Sequence, residues 1–369
     1  MNVSLAIEKF DPHVGGAERY CWDLAHFLAR RGHGVTVICM KATGLPHPDV
    51  RVIQVPAVRF PQFLRHISFA FLHFIKARKM HGFIHFCVGN TFFMDIYQPH
   101  GGVHRSWFFK ETARYEQPLR SLVRFIKRLS LKDTVQRLME WWAFKVARPR
   151  VIAISEMVAN DMARFFQYPK ERIHLVPNGV DLDTYDPKNR VHREAVRQGF
   201  CIDSDDFVFL FVAQNPKLKG YDVLIDACIR LLPLPFKVLV VGPYDSGMKR
   251  KAEPLGGRVL FAGKSRELAR IYPACDCLVH PTYYDACSLV VLESLASGVP
   301  VITTNANGAS MYLDDSNGSV IDPGDASGLS EAMKNMMVGP RGRISIGSLL
   351  KNHHTVFSLV EGVMASHEP

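Results

Sequence analysis

Two acidic residues in this 369-residue sequence have a spacing that suits the binding of sugar hydroxyls. Asp285 follows an apolar run, and Glu293 comes eight residues later, inside the next apolar segment. Carboxylates accept hydrogen bonds from paired hydroxyls, such as those of a ribose or a hexose. The amides of Ala286, Cys287 and Ser288 would lie at the start of a helix, where backbone N–H groups attract anions. The alternative is a helix cap followed by a surface Glu, which is the commoner arrangement for one acid alone.

Glycine and lysine loops follow other apolar runs and could hold phosphate groups. Gly15 and Gly16 come after the first run, where glycines let backbone N–H groups approach an anion. Lys217 and Lys219 follow the run Phe207–Ala213, where their ammonium groups could neutralise a diphosphate. Each loop has an ordinary alternative, a tight turn for the glycines and solvated side chains for the lysines. The glycine spacing does not match the GxGxxG fingerprint, which disfavours a nicotinamide-dependent enzyme.

No residue pattern in the sequence predicts a metal site. The histidines show no ligand spacing, and the adjacent acids Asp205 with Asp206, and Asp314 with Asp315, lie in turn-like contexts. We therefore expect neither a metal ion nor an organic cofactor, with lysines taking the place of a magnesium ion.

These loops must be positioned by strands and helices, and the apolar pattern shows the two alternating along the chain, as in parallel sheets covered by helices. The predicted strands are Val3–Ile7, Gly34–Met40, Arg51–Val55, Phe83–Val88, Val151–Ile154, Arg172–Val176, Phe207–Ala213, Lys237–Val241, Val259–Phe261, Cys277–His280 and Pro300–Thr304. The predicted helices include Ala17–Arg30, Phe63–Lys79, Leu119–Lys145, Tyr221–Leu231 and Leu289–Ser297. Two doubly wound α/β units result, joined by the segment 177–190, which contains Pro and Gly. Ligands collect beyond the carboxyl ends of parallel strands, so two such sheets facing each other would form a cleft.

Several motifs at these strand ends resemble those of a known enzyme family. They are GGAER after the first strand, PHGGVH at 99–104, VPNGVDLDTY at 176–185, NPKLKG at 215–220, and the Asp285–Glu293 block followed by SGVPVITT. The chain resembles family 4 of the retaining glycosyltransferases over nearly its whole length, and most of all their lipopolysaccharide core glucosyltransferase I group. The resemblance implies a GT-B fold, in which two Rossmann-like doubly wound domains face each other across a cleft. We place the acceptor-side domain at 1–170 and the nucleotide-sugar domain at 171–349, with a C-terminal helix at about 350–369 packing back onto the first.

The resemblance also implies roles for particular residues of this chain. Gly15 and Gly16 would contact the donor phosphates, and Lys219 and Lys217 would hold the diphosphate. Glu293 would bind the ribose and Asp285 the transferred sugar. The backbone amides of the following loop would reach the sugar and phosphate, at Ala286, Cys287, Ser288 and Leu289. His100 is the candidate contributed by the first domain, near the donor sugar, and with Lys219 and Asp285 it completes the expected catalytic set.

Three departures from the family pattern bear on these roles. Asp285 stands where the family usually has Glu, and this side chain is shorter by one methylene, so the sugar contact is rearranged or bridged by water. Lys217 stands where many members have Arg, which keeps the charge but loses bidentate geometry. The loop ACSL replaces one that contains glycine, which changes the backbone at Cys287 and Ser288.

The resemblance implies transfer of a hexose, with retention of anomeric configuration, from a UDP-linked donor to an oligosaccharide or lipid-linked acceptor. The expected setting is the synthesis of lipopolysaccharide core or another cell-surface polysaccharide. No carboxylate can be named as a covalent nucleophile. Two alternatives stay open: a nucleotide-sugar epimerase of the same fold, and a non-catalytic basic protein that binds a membrane or nucleic acid. We expect no nucleic-acid partner, because that role would not explain glycines, lysines and acids at strand ends.

Most of the net positive charge of the chain lies in one segment. The formal net charge is +10, and residues 105–150 contain twelve Lys or Arg against four acids, interleaved with Trp and Phe. This composition suits an anionic membrane surface or an anionic acceptor, whereas the alternative is a solvated helix whose aromatics face the core. Four cations share one stripe of the predicted helix and would attach to anionic lipid: Arg120, Arg124, Lys127 and Arg128.

The sequence also predicts where the protein is found. No apolar run approaches the eighteen or so residues of a membrane-spanning helix, and the N-terminus lacks the pattern of a signal peptide. We therefore expect a cytoplasmic protein, with possible peripheral attachment to the inner face of the cytoplasmic membrane.

Overall fold

The chain folds into two compact units. The computed structural model describes residues 1–44, 46–89, 91–339 and 350–367. Unit 1 comprises Met1–Asn178 together with the chain from His354 onwards, and unit 2 comprises Gly179–His353. The division at Asn178 lies within the segment 177–190.

Unit 1 is built on a seven-stranded sheet in which every pair of neighbours is parallel. Its strands are β1 (Asn2–Ala6), β3 (Gly34–Cys39), β5 (Val50–Gln54), β6 (Phe83–Cys87), β7 (Ile96–Tyr97), β8 (Arg150–Ala153) and β9 (Ile173–Leu175), in the order β5-β3-β1-β6-β7-β8-β9. A second, two-stranded parallel sheet is formed by β2 (Lys9–Phe10) and β4 (Lys41–Ala42). The central strands are mostly apolar and almost wholly buried, which is expected for a parallel sheet covered on both faces.

Unit 1 also contains seven α-helices among the described residues. They are α1 (Gly16–Arg30), α2 (Gln62–Ala77), α3 (His104–Thr112), α4 (Leu119–Leu129), α5 (Leu131–Trp141), α6 (Glu156–Phe166) and α13 (His353–Ala365), with a π-helical segment Trp142–Ala147. Leu24 and Leu28 of α1 pack in the same core as Phe357 and Val360 of α13. The last helix of the chain therefore contributes to the core of the unit that contains the first strand.

Unit 2 repeats the architecture with a six-stranded parallel sheet. Its strands are β10 (Val208–Val212), β11 (Lys237–Val241), β12 (Val259–Gly263), β13 (Cys277–His280), β14 (Val301–Thr304) and β15 (Gly318–Ile321), in the order β12-β11-β10-β13-β14-β15. Its helices are α7 (Arg193–Gly199), α8 (Tyr221–Arg230), α9 (Ser246–Ala252), α10 (Leu268–Ile271), α11 (Leu289–Ala296) and α12 (Ala326–Val338). Phe209 and Phe211 of β10 and Leu224 of α8 lie at the centre of its core. The two doubly wound units predicted from the sequence are confirmed.

The structure corrects the prediction of one helix over Leu119–Lys145. Ser130 has extended backbone angles, φ −67° and ψ 129°, so the chain breaks there into α4 and α5. Ser favours positions at helix ends because its side chain competes for backbone hydrogen bonds. Because of this break, α4 and α5 can contact the rest of unit 1 through different faces.

The domain boundaries also differ from those predicted at 170 and 349. β9 lies beyond residue 170, but it pairs with β8 and so completes the sheet of unit 1. The second division falls at His353, after the segment 340–349, which lies outside the described residues. The last part of the predicted helix 350–369, residues 368 and 369, also lies outside them.

A buried histidine in unit 1 makes a prediction about acid stability. His73 of α2 is fully buried, and neither ring nitrogen has a hydrogen-bond partner among the described residues. Burial, with a smaller contribution from His85, lowers the pKa of His73 from 6.5 to about 3. Above pH 6.5 the ring is neutral in both the folded and the unfolded chain. Below pH 6.5 only the unfolded chain takes up the proton, so the free energy of unfolding falls by about 1.4 kcal/mol per pH unit until about pH 3.

Between pH 6.5 and 4.5, His73 should lower the free energy of unfolding of the parent by about 2–3 kcal/mol, and His73→Leu should not show this part of the decrease. Urea unfolding followed by tryptophan fluorescence measures this, since all four tryptophans, Trp22, Trp107, Trp141 and Trp142, belong to unit 1. His81→Leu, at an exposed position, is the matched control and should leave the pH profile of the parent unchanged. Parallel profiles for His73→Leu and the parent would show that His73 is not the group responsible.

Candidate functional site

The site in unit 2 forms where two loops at the carboxyl ends of neighbouring strands meet. β10 and β13 are hydrogen-bonded neighbours, so the loop after each emerges at the same edge of the sheet. The Leu218 carbonyl accepts hydrogen bonds from the Tyr283 amide at 3.0 Å and from the Thr282 hydroxyl at 3.2 Å. These bonds fasten the lysine loop to the loop that carries Asp285.

Gly220 is required for this close approach. Its φ of +79° lies in the left-handed region, and a Cβ there would stand 2.1 Å from the Pro281 carbonyl oxygen. Any other residue would push the two loops apart or strain the backbone. The glycine of the NPKLKG motif therefore serves to bring Lys219 to the Asp285 loop.

Lys219 and Asp285 form an ion pair, with 2.5 Å between Nζ and Oδ2. The Nζ atom also lies 3.5 Å from the Tyr284 carbonyl oxygen. Burial by itself would raise the pKa of Asp285, but the Lys219 ammonium and the hydrogen bond with His280 together hold that pKa well below its usual range. The carboxyl group is therefore ionised at neutral pH, and an ammonium has three donors, so it can contact an anionic ligand while keeping this pair.

His280 is a member of this site that the sequence analysis missed. It is the last residue of β13 and is fully buried, with Nε2 at 3.5 Å from Asp285 Oδ2 and 3.4 Å from Ser288 Oγ. Burial lowers its pKa, and the nearby Lys219 adds to the effect. The ring is therefore neutral at pH 7 and orients Asp285. A polar residue ending an apolar strand was the available signal, since such positions face the ligand edge of a parallel sheet.

The backbone of Asp285 is fixed by the loop that follows β14. The Asp285 amide donates to the Ala306 carbonyl at 3.0 Å, and the Asp285 carbonyl accepts from the Gly308 amide at 2.8 Å. Asn307, also missed from the sequence, accepts hydrogen bonds through Oδ1 from the Ser288 and Ala309 amides at 3.3 and 3.0 Å. A ligand would thus have to compete with Asn307 for the Ser288 N–H. Ala286 and Cys287 are buried beside it, and Leu289 begins α11.

Glu293 lies in the second turn of α11 and is half-buried. Its Oε2 accepts a hydrogen bond of 2.8 Å from the hydroxyl of Tyr272, a fully buried residue. Burial, reinforced by the nearby carboxylate, raises the pKa of Tyr272 well above its ordinary value, so the phenol remains a donor. Tyr272, which the sequence analysis missed, therefore orients the carboxylate that was expected to bind a ribose.

Lys217 lies apart from this cluster. It is exposed and borders a cavity of about 130 Å³ with Tyr221, Asp222 and Asp245, which neither Lys219 nor Asp285 lines. Lys219 thus belongs to the cluster that contains Asp285, and Lys217 lies outside that cluster.

Three candidate site residues belong to unit 1 and follow its strands: Gly15, Gly16 and His100. Gly15 precedes α1 with an extended backbone, and Gly16 is the first residue of that helix. A Cβ on Gly15 would stand 2.8 Å from an oxygen of the Glu18 side chain, which is flexible and could move. The helix N-terminus is present as expected, with one acid in its first turn.

His100 packs its ring on Tyr20, with 4.3 Å between the ring centroids. Its Nε2 is buried and has no hydrogen-bond partner among the described residues, and burial lowers the pKa of His100 to about 3. The ring is therefore neutral at physiological pH. It can donate or accept a hydrogen bond there, but it carries no charge.

A cavity of about 360 Å³ lies beside the same loop in unit 1. Its lining includes Gly101, Gly102, Trp107 and Lys132. His104 also lines it, and its ring stacks on Trp107 with 5.3 Å between centroids. An aromatic face with polar groups around it suits a sugar ring, which presents apolar C–H faces and a rim of hydroxyls.

The four cations predicted to attach to lipid are mostly used within the protein. Arg120 donates to the Tyr115 carbonyl at 2.6 Å, Arg124 donates to the Thr112 hydroxyl at 2.9 Å, and Lys127 pairs with the buried Glu111. The guanidinium of Arg128 lies over the Phe108 ring. Three of the four cations are therefore bound by a carbonyl, a hydroxyl and a carboxylate around α3, and they do not form a stripe of unpaired cations.

The described residues contain neither a metal-binding cluster nor a membrane-spanning helix. No group of three or more His, Cys, Asp or Glu side chains in that part of the chain is arranged to hold a metal ion. None of the helices described there is long and apolar enough to span a membrane.

Two family models match this chain. A glycosyl transferase 4-like domain model matches residues 15–179, and a model of glycosyl transferases group 1 matches residues 206–338. The chain is 26% identical over 365 residues to a D-inositol 3-phosphate glycosyltransferase of Xylanimonas cellulosilytica, covering 91% of this chain and 87% of that one. It is also 26% identical over 350 residues to the lipopolysaccharide glucosyltransferase WaaG of Escherichia coli, covering 90% of this chain and 89% of WaaG.

Solved structures show the same fold. A crystal structure of WaaG, a glycosyltransferase involved in lipopolysaccharide biosynthesis, superposes with a TM-score of 0.82 at 22% identity, covering 98% of this chain and 99% of that one. Anabaena Alr3699/HepE in complex with UDP-glucose gives a TM-score of 0.71 at 18% identity, covering 99% and 100%. The predicted GT-B fold class is confirmed. Because a glycosyl transferase 4-like domain model and a model of glycosyl transferases group 1 together match most of the chain, the protein is a glycosyltransferase built of these two domains.

Proposed function

We propose that the protein transfers a hexose from a UDP-linked donor to a glycan or lipid-linked acceptor, with retention of anomeric configuration. The observation that carries the proposal is the cluster of Lys219, Asp285 and His280 in unit 2. It places an ammonium and an oriented carboxylate side by side at the ligand edge of a parallel sheet. Glu293, held by Tyr272, adds a second carboxylate on the helix that follows.

Each group has a proposed task in this reaction. The Lys219 ammonium stabilises the negative charge that develops on the diphosphate as the bond to the sugar breaks. The ionised Asp285 carboxylate accepts hydrogen bonds from hydroxyls of the transferred sugar. Glu293 accepts a hydrogen bond from the ribose, and the neutral His100 ring offers a hydrogen bond to the sugar. Gly15 and Gly16 remain the proposed contacts of the donor phosphates in unit 1.

Related proteins support the choice of donor and acceptor classes. HepE forms a complex with UDP-glucose, WaaG is a lipopolysaccharide glucosyltransferase, and the Xylanimonas relative is a D-inositol 3-phosphate glycosyltransferase. We propose that the acceptor of this protein binds in the unit 1 cavity, against Trp107. Lys132 at the cavity wall would favour an acceptor that carries a negative charge.

A donor panel tests the proposal and its alternatives. Purified protein is incubated with UDP-, GDP- and ADP-hexoses, with and without a chelator, and released nucleotide and sugar are measured. We expect slow hydrolysis of a UDP-hexose that survives the chelator, because lysines take the place of a metal ion. Interconversion of the donor without release of UDP would indicate an epimerase, and no turnover or binding of any donor would contradict the proposal. Loss of hydrolysis with the chelator would indicate a metal and other roles for the lysines.

A further inference from the structure

A second cavity of unit 1, of about 500 Å³, has no part in the function proposed above. It lies beyond the carboxyl ends of β1, β3 and β5, which are neighbours in the sheet. This is the edge at which open parallel sheets bind ligands. Within the described part of the chain, it shares no lining residue with the cavity beside Trp107. It is therefore a separate candidate site.

The loops that form this cavity are fastened to one another through their backbones. The Met40 amide donates to the Glu8 carbonyl at 2.9 Å, and the Val55 amide donates to the Cys39 carbonyl at 2.8 Å. The short strands β2 and β4 pair within two of these loops. The cavity therefore belongs to the hydrogen-bonded framework of unit 1.

The charges that line the cavity are mostly positive. They are Lys9, Lys41, Arg59, Arg65 and the single acid Glu8. The acid is already engaged, because Arg65 Nε lies 3.0 Å from its Oε2 and His66 contacts its Oε1. Burial by itself would raise the pKa of Glu8, but these two partners hold that pKa below its ordinary value. The carboxylate is thus ionised and committed to Arg65 and His66, which leaves three lysine and arginine side chains for a ligand.

Two of these cations are held side by side. Lys9 and Lys41 are register partners in the parallel pair of β2 and β4, so their side chains leave the same face. Neither ammonium forms an ion pair with any residue that the structure describes, and the carboxylate of the nearby Asp11 accepts from the His13 amide instead. Like charges opposite each other in a sheet are destabilising. An anion bound between the two ammonium groups would remove this repulsion.

Apolar side chains and one amide complete the lining of the cavity. The apolar residues include Met40, Val55 and Pro56, and the amide belongs to Gln54. A bare anion would need only the cations. A sugar ring presents apolar C–H faces and hydroxyl groups, and the cavity volume falls within the range of about 300–1,000 Å³ that is usual for small-molecule sites. The lining therefore suits an anionic group that is carried by a sugar.

We propose that this cavity binds a phosphorylated sugar. Lys9 and Lys41 contact the phosphate as two point charges, and Arg59 offers it a bidentate contact. Gln54 donates to a hydroxyl of the ring. Gln62 lines the cavity beside Trp107 and Arg65 lines this one, and both belong to the first turn of α2. A phosphorylated glycan could therefore place one sugar unit in each cavity, and only this link to the acceptor rests on the proposed function.

Titration calorimetry of the full-length protein at low salt tests the proposal, with glucose 6-phosphate, glucose and inorganic phosphate as probes. We expect glucose 6-phosphate to bind more tightly than either of the others. Lys9→Gln with Lys41→Gln should weaken its binding at least about tenfold, because two charge-assisted contacts are lost. Lys76→Gln with Lys79→Gln is the matched control. It removes two exposed lysines of unit 1 that line neither cavity, and it should bind like the parent.

Acetylation of the lysines, followed by mass spectrometry, locates the bound ligand. Glucose 6-phosphate should slow the acetylation of Lys9 and Lys41 and leave that of Lys76 and Lys219 unchanged. The affinity for UDP should be the same in the parent and in the Lys9→Gln, Lys41→Gln variant, which shows that this variant is folded. Failure of the parent to bind UDP or to hydrolyse a UDP-hexose would count against the proposed function and leave the result for this cavity unaffected.

Any of four results would overturn the inference. The first is no binding of glucose 6-phosphate by the parent, and the second is equal binding by the two double variants. The third is binding of glucose or inorganic phosphate as tight as that of glucose 6-phosphate, since the cavity would then not recognise a phosphorylated sugar. The fourth is protection of Lys219 in place of Lys9 and Lys41, which would put the ligand in unit 2.

Discussion

Replacing Lys219 with Ala is expected to lower kcat for transfer from the UDP-hexose about a hundredfold. The substitution removes the cation that stabilises charge on the leaving diphosphate, and loss of one such group typically costs about 10²–10³ in rate. It also leaves Asp285 without the ammonium that lies 2.5 Å away in the parent, so its carboxylate would repel the incoming diphosphate. Initial rates over a range of donor concentrations separate the effect on kcat from that on KM.

Three comparisons make this prediction specific. Lys217→Ala removes an exposed lysine of the same loop that does not contact Asp285, and it should have a much smaller effect. The double variant Lys219→Ala with Asp285→Asn should lose less activity than the losses of the two single variants combined, because the Asp285→Asn substitution leaves no uncompensated negative charge. The Lys219 ammonium holds the pKa of Asp285 low, so its removal should move the acid limb of the pH–rate profile to higher pH. An unchanged kcat in Lys219→Ala would rule out the proposed role of this lysine.

Replacing Glu293 with Ala is expected to weaken donor binding by about 2–4 kcal/mol, the range for hydrogen bonds to a charged group when their partner is left unsatisfied. This corresponds to a rise in Kd of roughly 30- to 1,000-fold. Titration calorimetry with UDP measures the change directly, since the ribose is present in UDP and the transferred sugar is absent. The substitution also leaves the buried Tyr272 hydroxyl without Glu293, which should lower the free energy of unfolding by about 1–3 kcal/mol.

Two further variants separate binding from structure at this position. Tyr272→Phe keeps the carboxylate and removes the hydroxyl that orients it, so UDP affinity should fall only severalfold. Glu331→Ala removes an exposed Glu of another helix in unit 2 and should leave UDP affinity unchanged. If Glu293→Ala binds UDP as tightly as Glu331→Ala does, the residue is a structural acid of α11 and the ribose is held elsewhere.

Much of the fold could be predicted because its signals are local. Apolar runs such as Lys237–Val241 and Cys277–His280 coincide with strands of the structure, since a strand buried on both faces needs a continuous apolar segment. The two-residue strand β7 was missed, because so short a segment has no periodicity to detect. The break at Ser130 was also missed, since the apolar pattern continues across it.

The sequence by itself determined the α/β architecture, the loops at strand ends and the residues that carry charge there, because these follow from short-range patterns. Only the tertiary structure decided which of those residues meet. Lys219 and Asp285 are 66 residues apart in the chain and are joined because β10 and β13 are neighbours and Gly220 lets their loops touch. The pattern of α4 showed two opposite faces, but hydrogen-bond acceptors around α3 decided that the basic face turns inward. An amphipathic pattern gives the period of a helix, and the partners it finds in the folded chain determine which side is buried.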